Sequence, residues 1–218
     1  MSNNKSTPKP LVLDVDGTFL RTDMLMESFW QALGRNPINC LRICATRFTD
    51  RAALKQELAA LAPLRTDLLP VNPEIAALAR HSKAQGRPVV FASGSDQSLV
   101  RQLAKDHDIN APVYASDGTT NLTGARKAKE LVAAYGKGGF DYAGDGAVDQ
   151  KVWDEADRAI VVGNHTQITK TLVQNGTEVD HFAGGWTVKD LLKALRPHQW
   201  VKNILLFLPM IAAHRVDT

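Results

Sequence analysis

Six short apolar runs punctuate the chain, and most of them open directly into small polar or acidic residues. Leu11-Val12-Leu13 leads into Asp14, and Pro88 to Ala92 leads into Ser93-Gly94-Ser95. Val113 to Ala115, Tyr142-Ala143, Ala159 to Val162 and a weaker run over Val179 to Phe182 complete the set. Continuous apolar runs of this length suit strands buried on both faces. Between them lie patterns of helical period. Pro73 to Gln85 carries Ile75, Ala76, Leu78 and Ala79 on one side and stops at Gly86. Gln97 to Asp106, and Gly124 to Tyr135 before Gly136, read the same way.

Strands alternating with helices predict a Rossmann-like α/β fold: a parallel sheet with helices on both faces. Ligands then bind beyond the carboxyl ends of the strands. One segment breaks the alternation. Residues 23–69 show no strand pattern, only helical ones interrupted at Gly34, Pro37 and Pro63, with Phe29, Trp30, Leu33, Ile38, Leu41, Ile43 and Phe48 as apolar faces. This predicts a helical cap inserted after the first strand. The expected organisation is a flexible start over 1–8, a core of 9–22 and 70–185, the cap at 23–69, and a tail at 186–218.

The polar strand ends carry the candidate chemistry. In Asp14-Val15-Asp16-Gly17-Thr18 the two acids are two apart, so on extended chain both face one side. Paired carboxylates repel, and a site that keeps both ionised needs a cation; magnesium suits such an oxygen-rich site. Asp145 and Asp149 follow Tyr142-Ala143-Gly144, again at a strand end. Ser93-Gly94 pairs a hydroxyl with free N–H groups ahead of a helix, the makings of a phosphate cradle. Lys127, near the start of the helix to Tyr135, is a candidate for the phosphate charge, with Lys129 as competitor. Asp117-Gly118-Thr119 repeats part of the first motif, but Ala115 stands where the first carboxylate would be, so it reads as a loop.

Composition adds limits. Hydrophobic residues are 44% and charged residues 22%, an ordinary globular balance, and a net charge of +3 does not indicate a nucleic-acid binder. Cys40 and Cys44, four apart in a helical pattern, are poorly placed for a disulfide and read as small apolar residues in a reducing compartment. The polar start has no apolar signal core, so the catalytic part is expected in the cytoplasm. The six histidines show no ligand spacing.

In order, Asp14-x-Asp16-Gly17-Thr18, Ser93, Lys127 and Gly144-Asp145-x-x-x-Asp149 resemble the four motifs of the haloacid dehalogenase superfamily. The resemblance implies a phosphohydrolase for phosphate monoesters. Asp14 would attack phosphorus, and Asp16 would protonate the leaving group and then activate water. It also implies magnesium on the Asp14 carboxylate, the Asp16 backbone carbonyl and Asp145, with Asp149 behind them. Thr18, Ser93 and Gly94 would bind substrate.

Leu195 to Asn203 is similar to the opening of UbiA-type prenyltransferases, notably the decaprenyl-phosphate phosphoribosyltransferases. Between Trp186 and Asn203, four basic residues stand against a single acid, an excess equal to the whole chain's +3. About ten apolar residues follow, roughly half of what a spanning helix needs. This tail is expected to contact the inner face of a membrane. The substrate it implies is the sugar 5-phosphate of a polyprenyl-phosphoryl-ribose. The alternatives are a soluble phosphatase for a small metabolite, such as a phosphoserine-like compound or a sugar phosphate, and a non-catalytic domain that positions a fused prenyltransferase.

Overall fold

In the computed structural model all six apolar runs enter one sheet. The structure describes residues 8–182 and 184; the tail reading for 186–218 lies outside the described residues. The strands are β1 (Leu11–Leu13), β2 (Val89–Asp96), β3 (Val113–Ser116), β4 (Asp141–Gly144), β5 (Arg158–Val162) and β6 (Glu178–Phe182). Their order is β3-β2-β1-β4-β5-β6 and every pairing is parallel. Parallel neighbours need crossovers. Three helices of the insertion, α1 (Met24–Arg35), α2 (Pro37–Thr46) and α3 (Arg51–Leu61), come first; the crossovers are α4 (Pro73–Ala84), α5 (Gln97–Asp106), α6 (Ala125–Tyr135), the short α7 (Gln150–Trp153) and α8 (Thr166–Gln174).

Burial follows the strand period. Leu11 and Leu13 join the core on one face with Phe19, Ile75, Phe91 and Leu103, while Val12 joins Val90, Leu131, Tyr142 and Trp153 on the other. β6 is the exception, an edge strand without a fully buried residue, which explains its weak sequence signal. At the amino ends of the central strands Arg87 acts as a clip. It donates to the Lys9 and Pro10 carbonyls at 2.6 and 3.2 Å and pairs with Asp141 at 2.6 Å.

The strand order reverses at β1, which lies between β2 and β4. Such a switch point leaves a crevice at the carboxyl edge. The chain deepens it at β2, where pairing with β3 shifts register between Ala92 and Asp96. That irregularity takes Ser93, Gly94 and Ser95 out of the regular ladder and frees their polar groups for other partners.

The insertion is helical throughout: α1 (Met24–Arg35), α2 (Pro37–Thr46) and α3 (Arg51–Leu61), then one turn at Thr66–Leu68. Asp23, Asn36 and Asp50 cap the three helices by accepting from Met26, Asn39 and Ala53 N–H groups. The two strands of the neck are sewn together by a Leu20–Val71 bridge. Arg21 N–H donates to Pro70 and Asn72 N–H to Phe19.

Two details of the cap differ from expectation. Gly34 does not break a helix; it lies inside α1, and the second break falls at 47–50. Of the expected apolar faces, only Phe29, Leu33 and Ile43 pack against the cap core of Ala32, Cys40, Leu58 and Ala62. Trp30, Ile38, Leu41 and Phe48 face solvent, Ile38 and Phe48 at 80% and 81% exposure. A three-helix cap offers each helix one inward stripe, and residues off that stripe have nowhere to go. Cys40 and Cys44 are free thiols on α2. Among the described residues no helix is long and apolar enough to cross a membrane.

Apart from the local backbone of its own helix, an alanine methyl at Gly34 would meet nothing within 4 Å. Gly34→Ala should therefore stabilise the chain by about 0.5–1 kcal/mol through reduced freedom of the unfolded state. A rise in the denaturant midpoint at constant m-value checks this; a fall would show that the position is constrained.

Candidate active site

Asp14 directly follows β1, and its N–H donates to the Ala143 carbonyl of β4. The chain then makes one wide turn over Val15–Phe19, closed by Phe19 N–H to Asp14 and Leu20 N–H to Val15. Phe19 anchors the turn edge-on against Phe91 at 4.8 Å. Gly17 has φ +75°, and a Cβ there would lie 1.9 Å from Asp145 Oδ2. Only glycine allows the turn and the Asp145 carboxylate to meet.

Lys127 comes from the first turn of α6 and is buried at 3% exposure. Its ammonium donates to Asp14 Oδ1 at 2.8 Å and to the Tyr142 hydroxyl at 2.8 Å, with Asp149 Oδ1 at 3.4 Å. Lys129 is exposed, so of the two lysines it is Lys127 that faces Asp14. Tyr142 donates to Asp149 Oδ1 at 2.6 Å, and the Asp145 and Gly146 N–H groups donate to Asp149 Oδ2. A Cβ on Gly144 would lie 2.7 Å from that same oxygen.

Carboxylate oxygens of Asp14, Asp145 and Asp149 all lie within 4.8 Å of one another. This crowding shows in their ionisation. Burial pushes the Asp14 carboxyl well above its usual range, with Lys127 pulling it down and Asp149 and Asp16 adding to the rise. Burial and then Asp149 push Asp145 up to about 6. Burial alone would depress Lys127, but Asp14 and Asp149 outweigh it and raise its pKa. Tyr142 is pushed well above its usual value by burial and by the same two carboxylates, so it stays a donor. An all-oxygen, acid-rich cluster of this kind fits a hard divalent cation.

The Asp16 carboxylate is turned away from that cluster. It accepts from the Ser95 hydroxyl at 2.6 Å, the Met24 N–H at 2.8 Å and the Ser93 hydroxyl at 3.3 Å. Burial raises its pKa, against the Ser95 and Met24 hydrogen bonds. Asp16 therefore links β1, β2 and the first turn of the cap.

Of the remaining candidates, Ser93 is fully buried beside Asp16 and accepts from the Ser95 N–H. The Gly94 carbonyl takes Lys55 Nζ at 2.5 Å and the Ser116 hydroxyl at 2.6 Å. Thr18 is fully buried, and its hydroxyl has no hydrogen-bond partner. The Asp117 repeat is a turn whose carboxylate accepts from the Thr119 and Thr120 N–H groups.

Sequence reasoning missed Tyr142, Ser95 and Lys55. Tyr142 left a readable trace, a polar ring two residues before Gly144 in a strand buried throughout. Ser95 is two residues beyond Ser93, on the same side of an extended chain. Lys55 left none, because its contact with Gly94 spans 39 residues and exists only in the folded chain.

No protein-family model matches the chain. It is 32% identical over 210 residues to the uncharacterized protein y4nM of Sinorhizobium fredii, across 95% of this chain and 40% of the relative. The chain thus spans less than half the length of that curated relative. Among solved structures it is similar to a protein of unknown function from Bordetella pertussis, with TM-score 0.59 and 13% identity over 80% of this chain and 98% of the other. The HAD family hydrolase t0658 of Salmonella enterica matches with TM-score 0.55 and 17% identity, over 81% and 69%. A phospho-aspartyl intermediate analogue of phosphoserine phosphatase matches with TM-score 0.55 and 14% identity, over 87% and 99%. Likeness at this level of identity establishes architecture, and the chain has the fold of the haloacid dehalogenase-type hydrolases.

Proposed function

We propose that the chain is a magnesium-dependent phosphohydrolase acting on phosphate monoesters, with Asp14 as nucleophile and Asp16 as general acid and base. The observation that carries this reading is the pairing of two carboxylates in different surroundings. Asp14 faces Lys127 and the acidic cluster, whereas Asp16 is held apart by Ser95 and Met24. Two titratable groups set apart in this way suit distinct roles. Fold likeness to the hydrolases named above adds support.

In the first step an Asp14 oxygen forms a bond to phosphorus as the bond to the alcohol oxygen breaks, and Asp16 gives its proton to that oxygen. In the second, Asp16 takes a proton from water, whose oxygen bonds to phosphorus and releases Asp14 and inorganic phosphate. Division into two displacements eases each. Lys127, with the Ser93–Gly94 segment beside it, would face the charge on the phosphoryl oxygens. The ion would be held by the Asp14 and Asp145 carboxylates and the Asp16 backbone carbonyl, with Asp149 orienting them. Magnesium, when bound, supplies positive charge against the phosphoryl oxygens.

For the substrate we favour the 5-phosphate of a polyprenyl-phosphoryl-ribose. The support is the likeness of Leu195 to Asn203 to the prenyltransferase opening, and with it a site of action at the cytoplasmic face of a membrane. A free sugar phosphate or phosphorylated amino acid is the competing substrate, and a panel with and without lipid separates them.

Asp14→Asn should lower phosphate release to below about one thousandth of wild type while melting as a folded protein, since an amide cannot attack phosphorus. Appreciable turnover by the folded variant would overturn the nucleophile assignment. Tyr142→Phe keeps the ring but removes the hydroxyl that joins Lys127 to Asp149. Its kcat should fall about 10- to 100-fold with KM changed much less. Because Asp145 titrates near 6, it is protonated at lower pH and must lose that proton to take a cation. Calorimetry in buffers of different ionisation enthalpy should show proton release on magnesium binding near pH 6, and affinity that strengthens as pH rises to 7.5. Affinity independent of pH across that range would count against the acidic cluster as the metal site. The same sign holds for stability: in the metal-free chain the Asp145 contribution is present below the ordinary carboxylate range and lost as pH rises through about 6.

A further inference from the structure

Lys55 belongs to the cap helix α3, yet its ammonium lies at the core. It is half-buried and donates to the Gly94 carbonyl at 2.5 Å and to Asn121 Oδ1 at 3.0 Å. Both acceptors are neutral. Among the described residues no carboxylate lies within 4.0 Å of it. Lys127 offers the contrast, since its burial is matched by Asp14 at 2.8 Å and Asp149 at 3.4 Å. Withdrawing a cation from water without a counter-charge is costly. Burial depresses Lys55 accordingly, with Asp16 and Asp23 at longer range opposing it. One turn earlier on α3, Arg51 is exposed and likewise makes no ion pair among the described residues.

The position gives the unpaired charge a direction. Lys55 reaches Gly94, next to Ser93, whose hydroxyl touches Asp16. On the proposed mechanism Asp16 serves the leaving oxygen, so this cation stands on the leaving-group side, while Lys127 serves the phosphoryl side. We propose that Lys55, with Arg51 one turn behind it, forms an anion subsite of the cap, and that the substrate is a phosphate monoester with a second anionic group, a carboxylate or another phosphate, on its alcohol portion. This rests on the phosphohydrolase reading. Lys55 is a specificity residue here: its ammonium exchanges neutral carbonyl partners for the charged group of the substrate. A charge-assisted contact of this kind favours the member of a matched pair that carries the second anionic group by about tenfold or more.

Two matched pairs test it with the full chain and magnesium. Ribose 5-phosphate against ribose 1,5-bisphosphate isolates a second phosphate, and glycerol 3-phosphate against 3-phosphoglycerate isolates a carboxylate. Wild type should prefer the member with the second anionic group in at least one pair by about tenfold or more in kcat/KM, and the preferred pair names the anion. Lys55→Met should reduce that ratio to within about threefold of unity, mainly through KM, and Lys55→Arg should retain it. Arg51→Gln, on an exposed side chain, should reduce it in part and serves if Lys55→Met does not fold. A wild type indifferent to both pairs, or a ratio unchanged in Lys55→Met, overturns the subsite while leaving the phosphohydrolase reading intact. If wild type hydrolyses none of the four, the small-metabolite alternative loses its support and turnover no longer reads the subsite. Calorimetry of the same pairs on the Asp14→Asn chain then decides the subsite alone, because equal binding within both pairs, or no binding at all, overturns it.

Discussion

The site depends on one buried cation. Lys127 brings α6 onto β1 and β4 by facing Asp14, Tyr142 and Asp149 at once, in a place with almost no exposed surface. An ammonium there is stable only while its carboxylates stay, and removal of one partner from a buried pair costs on the order of 3–5 kcal/mol. The same holds from the other side. Asp14, Asp145 and Asp149 crowd within 4.8 Å, and Lys127 offsets part of their repulsion. The arrangement is a charged cluster short of positive charge.

Around that cluster, glycine and burial settle the distances. Gly17 lets the turn after β1 press against Asp145, and Gly144 lets β4 press against Asp149. A methyl at either point would separate groups that chemistry needs together. The register shift in β2 then supplies Ser93 and Ser95, which hold Asp16 away from the acidic cluster. Two carboxylates two residues apart thereby acquire different surroundings, which is what the proposed division between nucleophile and acid–base asks for.

The cap is joined to this core at both ends. Met24, the first residue of α1, donates to Asp16, and Lys55 of α3 donates to Gly94. A shift of the cap therefore changes the environment of the proposed acid and of the leaving-group side together. The cap's own core is small, and several of its large apolar side chains stay in solvent.

By itself the sequence determined the alternation of strands and helices, the helical insertion, and the set of acids at strand ends. These depend on local period and on short motifs, where side-chain direction follows from residue spacing. Asp14, Asp16, Asp145 and Asp149 stood out because they follow apolar runs, Ser93 because it lies at the polar end of one, and Lys127 because it is near a helix start; the structure places all six around one crevice, and their roles are proposals. Tertiary structure alone decided which of Lys127 and Lys129 faces Asp14, since the two differ only in the side of α6 they occupy. It also decided that Trp30, Ile38, Leu41 and Phe48 stay in solvent, because a three-helix cap has room for one inward stripe per helix. The Tyr142 bridge and the reach of Lys55 to Gly94 join residues distant from their partners in sequence or in element, and no local pattern encodes the partner. Periodicity sets the direction of a side chain relative to its own helix or strand; which partner it meets is settled only when the elements pack.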